Sequence, residues 1–373
     1  MAGATIAICA ALAACGTVAA AGAVAVGAAV PPGATRTVTS SVGISSGSRP
    51  GGSFTAAPLP GAGRSSRTVT IAFAGDVHFT GRTARLLRHP ATAFGPIARV
   101  LRSADLTVLN LETAVTRRGV PQPKSYHFRT GPRAFAALAD AGVDVATMAN
   151  NHVLDYGRVG LADTLATARR AHFPVLGIGA DAAAAWRPYL VRVNGVRIAL
   201  LGVSQVDELA SSWVATPTRS GEANTIYLRR TLAAVRAARK KARVVIVFMH
   251  WGTEGMSCPD PAQTSLARRL SAAGASIIAG SHAHMLQGSG WLGRTFVAYG
   301  MGNFLWWQHS YSTATGVLLL TLRPHKPLTW RFVPATVSRT GQPVPDRGAA
   351  ARRARARYRA LRACTGLSPR PGG

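Results

Sequence analysis

The sequence predicts an α/β fold in which packed sheets are flanked by helices, and three observations carry that prediction. From residue 68 onward, apolar runs of strand length alternate with helix-length segments. Several of those runs end on His, Asp, Glu or Asn, as in open α/β sheets that hold ligands at the carboxyl ends of their strands. After Phe304 the pattern changes: 315–323 and 328–338 read as antiparallel strands separated by Pro324 and Pro327.

Taken in order, residues 1–35 contain no charged side chain, Arg36 being the first. Ala4 to Val30 is long enough to span a bilayer, although Ala and Gly make it only weakly apolar. Three readings of residues 1–30 stay open. A cleaved export signal suits the small residues but lacks a basic start. An uncleaved membrane anchor suits the length. A lipoprotein signal suits Leu12-Ala13-Ala14-Cys15-Gly16, with lipid on Cys15. A misassigned start codon would account for the missing basic residues. Each of the three puts the chain outside the cytoplasm, secreted or membrane-anchored.

Residues 31–67 are rich in Pro, Gly, Ser, Thr and Arg and read as a disordered linker. The folded domain is expected over 68–338. Its strands are placed at 68–74, 106–112, 144–149, 175–178, 196–203, 243–250, 276–280 and 295–300, and its helices at 92–103, 132–141, 158–172, 227–241 and 261–273. Residues 339–373, with Arg352, Arg353, Arg355, Arg357, Arg359 and Arg362 close together, read as a basic, poorly ordered tail, a short basic helix being the alternative.

Composition bounds the partners. The 373 residues carry 43 basic and 14 acidic side chains, a formal charge of +29. A solvated surface, or a surface that meets an anionic wall polymer, lipid or capsule, accounts for this balance. Nucleic acid is disfavoured because no nucleic-acid module is recognisable. Cys9, Cys15, Cys258 and Cys364 form no C-x-x-C pair, so a zinc ribbon is not suggested. A Cys258–Cys364 bridge would suit an exported protein, but the reading adopted for that pair is two unrelated thiols.

The residues that carry chemistry end the apolar runs. Asp76 and His78 follow the first, where Gly75 lets the chain turn; Glu112 ends Leu106-Thr-Val-Leu-Asn-Leu111, and a buried carboxylate there is costly unless paired or metal-bound. Asn150-Asn151-His152 follows the third run, and Asn151 offers a neutral oxygen. Asp155 either orients the His152 ring or caps the helix that starts near Gly157. His250 ends Val244-Val-Ile-Val-Phe-Met249; His282 and His284, two apart on an extended segment, should point the same way. A structural histidine, a turn-capping Asp, or a Glu beside Arg117 or Arg118 would explain any one of these. Together they read as one dinuclear metal site. Tyr126-His127-Phe-Arg129 is aromatic and basic, and His127 is a candidate for the substrate cleft.

On these motifs the chain resembles the CapA capsule-synthesis proteins, or PgsA-type poly-γ-glutamate biosynthesis proteins, a branch of the calcineurin-like metallophosphoesterases. The matching stretches run from Gly75-Asp-Val-His78 through Asn110-Leu-Glu112, Ala149-Asn-Asn-His-Val-Leu-Asp-Tyr-Gly157, His250-Trp-Gly-Thr-Glu254 and Gly280-Ser-His-Ala-His284 to Tyr299-Gly-Met-Gly-Asn-Phe304. The resemblance covers roughly 68–336 and implies a four-layer α/β/β/α sandwich of the metallophosphoesterase type. It implies metal ligation by Asp76, His78, Glu112, Asn151, His250, His282 and His284, with His152 beside the leaving oxygen. Many relatives carry Met at the position of His78, and the superfamily more often has Asp at that of Glu112.

The expected function is an exported hydrolase of phosphoester type, using two divalent ions (Mn, Fe or Zn) in capsule or surface-polymer biosynthesis. Its partners would be a phosphoester or an anionic cell-surface polymer, with membrane partners of a capsule-synthesis complex. The alternative is a non-catalytic component that handles the anionic polymer. A third reading, a secreted nuclease, has the charge but lacks a nucleic-acid module.

Overall fold

The computed structural model describes residues 68–308 and 310–372. The expectations for 1–30 and 31–67, including the lipid site at Cys15, lie outside the described residues. No described helix is long and apolar enough to cross a membrane.

The first sheet opens with four parallel strands, β1 (Val69–Val77), β2 (Leu106–Leu111), β3 (Val145–Thr147) and β4 (Val175–Leu176). The second is built from β5 (Tyr189–Val193), β6 (Val196–Ser204), β7 (Val244–Trp251), β8 (Ile277–His282), β9 (Ser289–Leu292) and β10 (Thr295–Ala298). Its order is β9-β10-β8-β7-β6-β5, with β6, β7, β8 and β10 parallel. The chain then returns to the first sheet with β11 (Asn303–Leu305), β12 (Ala314–Leu322), β13 (Thr329–Val337) and β14 (Pro343–Pro345). That sheet runs β14-β13-β12-β1-β2-β3-β4, and β11 pairs with the end of β1.

Strand parity sorts the side chains into layers. On β7, Val245, Val247 and Met249 pack outward against α3 (Leu228–Lys241) and α4 (Pro261–Ala272), while Ile246 and Phe248 face the other sheet. On β2, Leu109 and Leu111 pack outward with α1 (Arg133–Ala141) and α2 (Gly157–Arg170), while Leu106 and Val108 face inward. Three apolar layers therefore separate four structural layers, α/β/β/α. Continuing the same parity puts Asn110 and His250 on the inner faces, at the carboxyl ends of their strands.

Four expectations are corrected. Residues 339–372 are not a poorly ordered tail: β14 is followed by α5 (Gly348–Ala360), whose Tyr358 is buried and stacked on Phe332 at 3.9 Å. Cys258 and Cys364 are joined by a disulfide across 106 residues of sequence, not free thiols. The helix expected over 92–103 shrinks to Ala98–Leu101 after short 3-10 turns at Pro90–Thr92 and Gly95–Ile97, where prolines at 90 and 96 open each turn. Strand β5 was not anticipated; its burial alternates only weakly along Tyr189–Val193, as suits an edge strand.

Candidate metal centre

The carboxyl ends of β1, β2, β7 and β8 bring Asp76, Glu112, His250, His282 and His284 to one buried point between the sheets. Gly75 permits this for a reason other than the expected turn. A side chain there would lie 1.8 Å from the Gly302 carbonyl oxygen, so only glycine admits the approach of the β11 segment. The Asp76 amide donates to that same carbonyl at 3.0 Å. His282 and His284 also converge by a different route from extended alternation. Their φ angles are +89° and +55°, a left-handed backbone that non-glycine residues adopt at a cost. The His282 amide donates to Asp76 Oδ2 at 3.1 Å, which anchors the turn.

Two ligand sets emerge, and they share one carboxylate. Asp76, Glu112 and His250 each place a donor atom within 4.8 Å of the others, and so do Glu112, His282 and His284. Glu112 is fully buried and neither of its oxygens has a hydrogen-bond partner. His282 Nδ1 is likewise buried and unpartnered. A buried carboxylate with both oxygens idle is expensive, and cations on either side would satisfy it. This oxygen and nitrogen donor set without thiolate fits divalent Mn, Fe or Zn.

The electrostatics show what the bare cluster lacks. Burial, reinforced by Asp76, pushes the Glu112 carboxyl well above the usual range. Burial holds His250 down at about 3 and His282 well below the ordinary imidazole value. Burial opposes charge on His284 too, but Asp76, Glu112 and Glu254 outweigh it and lift that ring to about 9. For Asp76 the order is the same: burial raises it, and His284 and His250 bring it below the ordinary value. His284 Nδ1 lies 3.5 Å from Asp76 Oδ2, close enough for that carboxylate to favour charge on the ring.

Around the sets, Asn110 donates to Asp76 Oδ1 at 2.8 Å, and Asn150 donates to Asn110 Oδ1 at 3.0 Å. Asn151 Oδ1 lies 2.9 Å from His250 Nε2, so a cation held by His250 would be within its reach. Arg118 pairs with Asp163 at 2.6 Å, which removes the reading of Glu112 as a turn cap beside Arg118.

His152 sits against the cluster with Nε2 3.9 Å from Glu112 Oε1, and its Nδ1 meets Asp155 Oδ2 at 2.7 Å. Of the two roles open to Asp155, the structure shows ring orientation: Tyr156 precedes α2 and no side chain caps that helix. Asp155 is fixed in turn by the Phe128 amide at 2.6 Å and by Lys124 Nζ at 3.2 Å. Burial raises Asp155 to about 7 against the pull of Lys124. Burial, with Lys124 and the neighbouring histidines, takes His152 well below its ordinary value.

His78 lies outside both sets. Its Nδ1 accepts the Thr80 amide at 3.2 Å, leaving Nε2 with the proton and no partner. The ring is stacked on Phe128 at 4.3 Å with Trp306 edge-on at 4.4 Å. In this structure it belongs to an aromatic wall, not to the ligand sets.

That wall bounds a cleft of about 240 Å³ lined by Tyr126, Phe128, His152, Glu254, Trp306 and Tyr311 among others. The 126–129 segment thus reaches the cleft through Tyr126 and Phe128, while His127 turns away to the Gln122 carbonyl at 2.6 Å. Sequence reasoning passed over Lys124, whose side chain is 2% exposed between Asp155 and Glu208, and Glu254, which accepts from Tyr311 at 2.5 Å. A lysine flanked by Pro123 and Ser125 gives no sign of burial. Glu254 lies within a motif stretch and could have been marked.

Residues 70–308 match the bacterial capsule synthesis protein family PGA_cap. The chain is 28% identical over 301 residues to the capsule biosynthesis protein CapA of Bacillus anthracis, covering 78% of this chain and 72% of that one. It is 31% identical over 248 residues to the PGA biosynthesis protein CapA of Bacillus subtilis, covering 65% of this chain and 64% of that one, just under two thirds of its length. Among solved structures, a phosphatase of Mycoplasma pneumoniae superposes with a TM-score of 0.46 at 14% identity, over 73% of this chain and 94% of that one.

Proposed function

We propose, for a chain that belongs to the bacterial capsule synthesis protein family PGA_cap, that it is an exported, metal-dependent hydrolase of phosphoester type serving surface-polymer biosynthesis. The observation that carries this reading is Glu112, fully buried with both oxygens idle and shared by two ligand sets. Asp76 and His250 would hold one cation, with Asn151 in reach, and His282 and His284 the other. Two divalent cations supply Lewis acidity and neutralise charge on a phosphoryl group.

The chain's own groups do the rest. Asp155 holds His152 Nδ1, so that Nε2 faces the cluster and can hold a proton toward a leaving oxygen. An anionic phosphoester in the cleft would raise the depressed affinity of that ring for its proton. The aromatic wall excludes water from one side and fixes the orientation of whatever enters. Export is supported by the Cys258–Cys364 bridge, a cross-link that persists in oxidising compartments.

The test is hydrolysis of nitrophenyl and alkyl phosphodiesters with Mn²⁺ added, in the parent and in His152→Ala. The variant should keep its metal and lose roughly 10²–10⁴-fold in turnover on alkyl esters, and less on nitrophenyl esters, which need little protonation. Loss of metal from the variant would make His152 a ligand. Equal activity on both leaving groups would end its role in proton transfer.

A second reading, a polymer-handling component without hydrolysis, is favoured by one observation: Arg243, Arg294, Arg323 and Lys326 line one cavity at the amino ends of the strands. No hydrolysis by the parent with any divalent metal would make it the better account.

A further inference from the structure

At the amino ends of the parallel strands, opposite the metal cluster, the two sheets and the C-terminal residues Pro371 and Gly372 border an open cavity of about 690 Å³. The eight residues of β7, at about 3.3 Å each, put the two ends roughly 25 Å apart. Arg243 enters it just ahead of β7, Arg294 from the β9–β10 hairpin, and Arg323, His325 and Lys326 from the β12–β13 turn. These five side chains belong to exposed residues, and no Asp or Glu lines the cavity among the described residues. Arg323 donates to Thr329 Oγ1 at 2.9 Å, a neutral partner that leaves its charge uncompensated. Asp105, on the same end of the first sheet, accepts the Thr70 amide. A smaller hollow of about 160 Å³ shares Arg243, Arg323 and Lys326 with it.

Converging cations in a concave site with low-dielectric walls focus a positive field. Such a concavity suits a chain that can enter it better than a flat bilayer, and buried Trp291 gives it an apolar side. Arginine forks pair with carboxylate and phosphate alike. The metal cleft is the opposite: no lysine or arginine lines it among the described residues, although the chain has 43. We infer that this basic cavity, and not the metal cleft, is the docking site for an extended polycarboxylate chain. The inference rests on the surface-polymer reading above.

The experiment measures binding of fluorescent poly-γ-glutamate, and separately of polyphosphate, to the full chain by anisotropy at moderate salt. Three proteins are compared: the parent, the triple variant Arg243→Glu/Arg294→Glu/Lys326→Glu, and a remote triple past the carboxyl ends of β1 and β2, Arg85→Glu/Arg88→Glu/Arg117→Glu, with the same change in net charge. All six positions are exposed, so folding should survive. The cavity triple should weaken binding of poly-γ-glutamate by tenfold or more, and the remote triple by less than threefold; an effect on polyphosphate alone would overturn the proposal. Equal weakening by both triples would assign the binding to diffuse surface charge and overturn the proposal. Unchanged binding would do so too, as would a parent that binds anionic phospholipid vesicles but neither polymer. Binding is read without turnover, and the cavity triple should hydrolyse a small phosphodiester as the parent does, so failure here leaves the hydrolase reading standing.

Discussion

The two ends of the same strands have opposite chemistry. At the carboxyl ends, Asp76, Glu112, His250, His282 and His284 are buried, short of partners, and held on left-handed backbone at two positions. At the amino ends, Arg243, Arg294, Arg323 and Lys326 are exposed around a cavity that no Asp or Glu among the described residues lines. The difference teaches how to read the formal charge of +29. The motifs lead to a buried cluster of metal-type donors, while a group of exposed cations lies at the other end of the strands.

The largest effect expected at the buried end follows from changing the shared carboxylate. Glu112→Gln should bring bound metal from about two ions per chain to well under one, because losing a ligand exceeds the ~10–100-fold weakening typical of lost supporting partners. Elemental analysis after gel filtration checks this; a full complement of metal would break the two-set description. The basic cavity should be untouched, with polymer binding as in the parent.

A finer test divides the histidines. His282→Ala should lose metal by at least about tenfold in affinity, whereas His78→Phe should keep it, since His78 is engaged by Thr80 and the aromatic wall. Equal loss from both, read by metal titration, would restore His78 to the ligands and mean that its ring turns when metal arrives.

How much of this was legible follows from range along the chain. Asp76, Glu112, His250 and the His282–His284 pair were readable because they end apolar runs; strand parity points His250 inward, whereas a register shift before Asp76 and left-handed backbone at His282 and His284 turn the others, which the runs alone do not show. The orientation of His78 was not, because Phe128 and Trp306 decide it from distant segments. The ordered C-terminal region was hidden for the same reason. The arginine-rich α5 has little apolar content of its own. It is held by Tyr358 on Phe332 and by a disulfide from the neighbouring Cys364 to Cys258. The basic cavity draws on three separate turns and left no local signature. The four-layer architecture, by contrast, was implied by the family resemblance and is borne out.

The cross-link gives a smaller effect. Cys364→Ser should lower unfolding stability by about 2–4 kcal/mol, measured by urea denaturation, and leave metal content unchanged. A fall in metal content would mean that the loop carrying Cys258 and Glu254 supports the cluster through this bridge.

A separate effect, read as a pH slope, concerns Glu222, raised by burial to about 8 from an ordinary 4.5. Between those values the folded chain keeps a proton that the unfolded chain releases, so stability should fall as pH rises from 4.5 to 8. Glu222→Gln should flatten that slope in urea midpoints measured across the interval. An unaltered slope would remove Glu222 as its source.

The central claim is a pair of cations sharing Glu112 at the carboxyl ends of the strands. It is tested most directly by anomalous diffraction from crystals grown with Mn²⁺ or Zn²⁺, collected at the metal edge. The account predicts two peaks flanking Glu112, one beside Asp76 and His250 and the other beside His282 and His284. A single peak away from Glu112, or none at saturating metal, would contradict it.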